Sequence, residues 1–168
     1  MFEPPILTIK GARLSFGTNE LFTNVELYIN RGDKISLVGR NGCGKSTLLK
    51  VIARDIEPDA GEIFLQPGVK VSYMPQDPDF SGFDTLRDIV LSGLPAHERG
   101  QEYRADILIE QFDICAEQNP EQSSGGERKK AALAKALISE PDILLLDEPT
   151  THQDMPTNEK LEKIIAEF

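Results

Sequence analysis

The sequence predicts an α/β fold with an antiparallel β portion near its start and a helical insert. Three observations carry that expectation. Lys34-Ile35-Ser36-Leu37-Val38 runs into a glycine-rich loop at 39–46, which runs into a helical pattern. The short apolar run at 143–146 stands directly before two acids, Asp147 and Glu148. Between these landmarks, apolar residues recur at helical spacing in stretches separated by Gly93-Leu94-Pro95 and by a polar loop at 119–126.

Taken in order, residues 7–10 alternate as a strand does, and a second short strand is expected at 13–16 before a turn at Gly17-Thr18-Asn19. Residues 25–29 alternate again and end in the turn residues Asn30-Arg31-Gly32-Asp33. The segment 34–38 reads as the strand that delivers the glycine-rich loop, and 46–53 as the helix that leaves it. Residues 61–65 and 69–74 read as a hairpin around Gln66-Pro67-Gly68. Helices are expected at 85–91, at 102–112 and from about 127 to 139, where Glu140-Pro141-Asp142 stops the last. The apolar run at 143–146 suits a buried central strand. A final helix is expected at 156–168.

A chain of 168 residues suits one domain, and a domain of about 150 residues hides about 70% of its unfolded surface. Asp and Glu number 28 against 18 Lys and Arg, for a net charge of −10. An acidic surface is repelled by nucleic-acid phosphates, which disfavours a role in coating DNA or RNA. The densest basic stretch, Arg128-Lys129-Lys130, is the candidate for a local basic patch, and the preferred reading is solvated residues near a helix start. Cys43 and Cys115 have no CxxC partner, so neither a metal cage nor a disulfide is expected, and a reducing cytoplasm fits. The start, Met1-Phe2-Glu3-Pro4-Pro5, does not read as a signal peptide, and no apolar run approaches the ~20 residues that span a membrane. Direct membrane insertion is therefore not expected.

Residues 39–46 read Gly-Arg-Asn-Gly-Cys-Gly-Lys-Ser and match the phosphate-loop, or Walker A, pattern in full. Gly39, Gly42 and Gly44 let backbone N–H groups close around phosphate oxygens. A helix beginning near Lys45 turns its positive end the same way. Lys45 is suited to reach the β- and γ-phosphates and the Ser46 hydroxyl to ligate Mg²⁺. Asn41, Cys43 and Thr47 belong to the same nucleotide-binding stretch. Leu144-Leu145-Leu146-Asp147-Glu148 is a Walker B arrangement, with Asp147 holding the Mg²⁺ shell through water and Glu148 orienting or deprotonating the attacking water. Ser124-Gly125-Gly126-Glu127 opens a helix. Ser124 suits a helix cap followed by a plain loop; alternatively the segment presents a hydroxyl and two amides to an anion.

The order of these motifs resembles that of ABC ATPases, over essentially the whole chain. Residues 123–127 align with the family signature, which implies that Ser124 and Gly126, with Gly125 between them, contact the γ-phosphate held by an opposite domain. Gln76, in Met74-Pro75-Gln76-Asp77, matches the Q-loop glutamine, implied to touch Mg²⁺ and the attacking water. Phe16, in Leu14-Ser15-Phe16-Gly17, matches the aromatic that stacks on adenine; a plain core or edge-strand phenylalanine is the alternative. The resemblance implies a P-loop NTPase core of ABC type, with an antiparallel β subdomain and an inserted helical subdomain. Residues 1–168 would form one partial nucleotide-binding domain, with about 77–135 as the helical part. ATP and Mg²⁺ are the implied cofactors. Glu148, Gln76 and Lys45 form the implied catalytic set, and Ser46, Gln76 and Asp147 the metal set.

The ABC-F branch, and its Uup-like members in particular, look closest, on Val38 to Gly42 and on Asp147-Glu148-Pro149-Thr150 with His152 and Asp154. That branch implies action on the ribosome during translation. The family's switch histidine lies on a later strand; neither His97 nor His152 occupies that position, so the domain reads as C-terminally incomplete. Ser123, Thr151, Gln153, Asn158 and Lys160 are more polar than the family pattern. Three functions follow as expectations. The first is an ATPase that pairs head to tail with a second ABC domain or a copy of itself. The second is an ATP-binding module without useful turnover, and the third the ATPase subunit of a membrane transporter.

Overall fold

The computed structural model describes residues 3–98 and 100–149. The expectations for Met1 and Phe2, for Thr150, Thr151, His152, Gln153, Asp154, Asn158 and Lys160, and for a helix at 156–168 lie outside the described residues. The chain divides into two compact units, Met1–Val71 and Ser72–Phe168.

The first unit is built on an antiparallel sheet of β1 (Leu7–Phe16), β2 (Asn19–Ile29) and β3 (Ala60–Leu65) in the order β2-β1-β3. Leu7 pairs with Ile29 on one side and Leu65 on the other, and Ile9 with Leu27 and Ile63. Leu7 and Ile9 are buried, and so are Ala12 and Leu14, so the buried face changes phase between positions 9 and 12. That slip made the sequence read as two strands. It is a bulge in one strand, made possible by Gly11 at φ 62. Gly61, opposite the bulge, is required by close approach: a Cβ there would lie 2.6 Å from the Ala12 backbone and from the Gly11 carbonyl oxygen. Helix α1 (Lys45–Ile52) buries Leu49, Val51 and Ile52.

Two expectations for this region are corrected. Residues 34–38 form no strand; Val38 is 94% exposed and Ile35 49% exposed. A strand exists through its ladder, and among the described residues no strand is laddered to this segment, so alternation alone does not make it one. Residues 61–74 do not form a hairpin either, since β3 pairs with β1 and β4 (Val71–Met74) pairs elsewhere. The chain after β3 is tied to the start of the protein instead. The Gln66 N–H donates to the Ile6 carbonyl at 2.9 Å, and its side-chain amide donates to the carbonyls of Pro4 and Pro5 at 3.1 and 3.2 Å.

The second unit contains α2 (Leu86–Leu91), α3 (Tyr103–Phe112), α4 (Gly125–Leu137) and β5 (Ile143–Leu146), which pairs with β4. Its core joins Met74, Leu86, Ile89, Val90 and Phe112 to a small-residue face of α4: Ala131, Ala132, Ala134 and Ala136. Small side chains let backbones come close, and at Gly93, just past α2, the approach reaches its limit. A Cβ there would meet the Lys135 carbonyl oxygen at 2.1 Å. Beyond α4, Glu140 turns the chain with φ 49 and Pro141 prevents continuation. Strand β5 is apolar as expected, with Ile143 and Leu145 buried, and among the described residues β4 is its one neighbour.

Candidate functional site

In the first unit the glycine-rich loop is exposed from Gly39 to Cys43, and Gly44 to Thr47 are half-buried. Gly42 and Gly44 have φ 79 and 95, a region that disfavours other residues. Gly39 is needed for a different reason: a Cβ there would lie 2.7 Å from the Cys43 sulfur, so the loop folds back onto its own first residue. The Lys45 ammonium donates to the carbonyls of Gly39 and Arg40 at 3.0 and 3.2 Å and so spans the loop.

The start of α1 differs from those of α2 and α4. Thr85 and Ser124 each form a capping box, with Asp88 and Glu127 as the acidic partners. Gly44, which caps α1, supplies no side-chain acceptor, and the first turn carries no acid. The unclaimed N–H groups and the positive helix end therefore remain for an anion, with the Ser46 hydroxyl and Thr47 in the same turn.

Phe16 ends β1 and is 56% exposed, so its ring is available rather than in the core. Its neighbour Ser15 is tied down by a residue the sequence reading missed. The Ser15 backbone N–H and hydroxyl both donate to one oxygen of Asp59 at 2.8 Å. Those bonds hold the Asp59 carboxyl below the ordinary aspartate range. The partners lie 44 positions apart in the sequence, and no local pattern marks such a pair.

In the second unit, β5 delivers the predicted acids. Asp147 is 4% exposed, and its backbone N–H donates to the Met74 carbonyl on β4 at 3.0 Å. The Tyr73 hydroxyl donates to Asp147 Oδ2 at 3.2 Å. Glu148 stands at φ 48, uncommon for a residue with a side chain and most frequent at functional sites. The Gln76 side-chain amide donates to Glu148 Oε2 at 3.0 Å. Two residues predicted separately, from different motifs, are thus in direct contact. Tyr73 was missed because a tyrosine in an alternating strand looks like any half-buried aromatic.

The third predicted element opens α4. The Ser124 hydroxyl accepts from the Glu127 N–H at 3.2 Å, and the Ser124 N–H donates to the Glu127 carboxylate at 2.8 Å. The Ser124 bonds hold the Glu127 carboxyl below the ordinary glutamate range. Ser124 is therefore a helix cap. The two glycines are not explained by that cap. Neither has a positive φ; a Cβ at Gly125 would meet nothing within 4 Å, and one at Gly126 only the Ser124 oxygen at 4.0 Å. Nothing within the unit requires either glycine. Ser123, polar where the family pattern is apolar, donates its hydroxyl to the Asn119 carbonyl at 2.9 Å. The basic stretch is used within the unit. Arg128 lies over the Phe80 ring at 5.3 Å, and Lys130 donates to the Asp113 carbonyl at 3.4 Å.

Among the described residues no three His, Cys, Asp or Glu side chains gather as a metal cage. Of the predicted metal residues, Gln76 and Asp147 stand in the second unit and offer hard oxygen donors with a single carboxylate, while Ser46 stands in the first. That donor set fits Mg²⁺, which keeps several waters and binds through one or two carboxylates together with substrate phosphates. No helix among the described residues is long and apolar enough to cross a membrane.

The ABC transporter family profile matches residues 22–151. The ATP-binding protein Uup of Caulobacter vibrioides is 42% identical over 96% of this chain, which covers 26% of that protein. The aliphatic sulfonates import ATP-binding protein SsuB 1 of Shouchella clausii is 36% identical over 96% of this chain and 65% of its own length. A dimeric ATP-binding cassette solved in a post-hydrolysis state with ADP and Pi superposes with a TM-score of 0.81 at 26% identity, over 96% of this chain and 83% of that one. This chain spans about a quarter of the length of the Uup relatives it matches.

Proposed function

Because the chain belongs to the ABC ATPase family and is an ATP-binding domain, we propose that it hydrolyses Mg-ATP at a composite site built head to tail with a second ABC domain or a second copy of itself. The observation that carries the reading is the pairing of Gln76 with Glu148 at 3.0 Å, directly after a buried Asp147. A glutamate held by a neutral amide, in a strained backbone conformation, is oriented for one task. That task is to accept the proton of an attacking water, worth about 10²–10⁴-fold in rate.

The other residues have complementary roles. The Lys45 ammonium leaves its loop carbonyls for phosphate oxygens and neutralises charge as the γ-phosphoryl group transfers. The open first turn of α1 supplies N–H donors. Ser46, Gln76 and Asp147 serve Mg²⁺, which when bound offsets the charge of the β- and γ-phosphates. Phe16 stacks on the base. Gly125 and Gly126, unexplained within their own unit, leave room for the phosphates held by the opposite domain, with Ser124 beside them. The dimeric ATP-binding cassette of similar fold supports the pairing of two such domains.

Phosphate release from Mg-ATP, measured across protein concentrations, tests the reading. Release per chain rises with concentration, and Glu148→Gln lowers it by at least about 100-fold. Release no greater than in that variant would leave the chain an ATP-binding module. That second reading draws on residues 34–38, which lie outside any strand, with Val38 94% exposed. ATP would then act as a ligand that stabilises the folded state by mass action. For the partner, the resemblance to the ABC-F branch supports work on the ribosome, whereas the sulfonate-import relative supports a transporter. Co-sedimentation with ribosomes rather than with membranes distinguishes the two.

A further inference from the structure

Tyr73 and Asp147 sit on the paired strands β4 and β5, and the backbone bond from Asp147 N–H to the Met74 carbonyl fixes the register one residue from the phenol. The Tyr73 hydroxyl donates to Asp147 Oδ2 at 3.2 Å, and Asp147 is 4% exposed. We infer that Tyr73 is a positioning residue for metal binding, its phenol locking the carboxylate of Asp147 so that the other oxygen, Oδ1, meets the metal's shell. The inference rests on the reading of Asp147 as the carboxylate that serves Mg²⁺.

The physical argument concerns orientation. The last torsion of an aspartate is broad, so a carboxylate held only through its backbone samples many directions. One O–H···O⁻ bond from a residue on the neighbouring strand removes that freedom. Burial makes the bond matter more, because little water reaches the site to replace the phenol. Residues that hold a metal ligand from outside are worth about 10–100-fold in metal affinity. Tyr73 holds Asp147 in this way: it touches the carboxylate and leaves one oxygen for the metal.

Tyr73→Phe removes one oxygen atom and keeps the ring. The test is binding of a non-hydrolysable ATP analogue to the full chain with and without Mg²⁺, repeated with Mn²⁺ followed by electron paramagnetic resonance. Affinity without metal stays within about twofold of the parent, while the Mg²⁺ or Mn²⁺ needed for half-maximal enhancement rises about tenfold or more. An unchanged metal requirement overturns the inference. So does an equal loss of affinity with and without metal, which would mark the phenol as merely structural. Asp147→Asn separates the premise from the inference: if it leaves the metal enhancement intact, Asp147 does not serve the metal and both fall.

Discussion

Replacing Ser124 by alanine removes one of the two bonds of the capping box that opens α4. The lost bond is the one from the Glu127 N–H to the serine oxygen at 3.2 Å. The other survives, because the Glu127 carboxylate takes its bond from the backbone N–H of residue 124 at 2.8 Å. The Ser124 side chain lies at the surface, so water partly serves the freed N–H. The expected cost therefore falls in the middle of the range of 0.5–2 kcal/mol for losing a cap, at about 1 kcal/mol. For a chain of this size that lowers the thermal midpoint by about 2–4 °C. Thermal unfolding followed by circular dichroism measures it, alongside phosphate release from Mg-ATP. Ser124→Asn separates the two roles of the residue, since asparagine caps a helix as well as serine does. The midpoint should return to that of the parent while release stays depressed, because the hydroxyl proposed to meet the opposite domain's phosphate is gone. A Ser124→Ala midpoint within about 1 °C of the parent refutes the capping argument. Full release in Ser124→Asn refutes the proposed phosphate contact.

Gly93→Ala tests the close packing behind α2. Its new methyl would lie 2.1 Å from the Lys135 carbonyl oxygen, so the backbones must part by about 1 Å to reach an ordinary carbon–oxygen contact. Destabilisation of about 3 kcal/mol, at the upper end for overpacking, should lower the urea midpoint with an unchanged slope; an unshifted midpoint would contradict the packing described. Glu127 predicts a pH dependence. Its carboxyl is held below the ordinary value of 4.5, so its contribution to stability is complete above that value and is lost as pH falls through the lower native one. Glu127→Gln should flatten the acid side of the stability curve below about pH 5, and an equally steep curve in the variant would remove the assignment.

Much of the site was legible because its chemistry is local. A phosphate loop needs glycines at fixed offsets and a lysine and serine at the helix start, so the stretch from Gly39 to Ser46 declared itself, as did the apolar run before Asp147. The fold's outline was legible from the same periodicities, and helices α1 to α4 begin within two residues of the positions expected. Other features left no local mark. The bulge at Gly11 read as a break between strands because both interrupt alternation; only pairing with β2 and β3 tells them apart. Residues 34–38 have the pattern of a strand and, among the described residues, no ladder, since periodicity describes a face and hydrogen bonding requires a neighbour. The sequence by itself singled out the residues proposed to bear the chemistry: Lys45, Ser46, Gln76, Ser124, Asp147 and Glu148. The tertiary structure alone decided which of them are held and by what: Glu148 by Gln76, Asp147 by Tyr73, and Ser15 beside Phe16 by Asp59. The reason is physical. A motif is set by what the chain can do over a few residues, whereas a side chain's orientation is set by groups that only folding brings within hydrogen-bond reach.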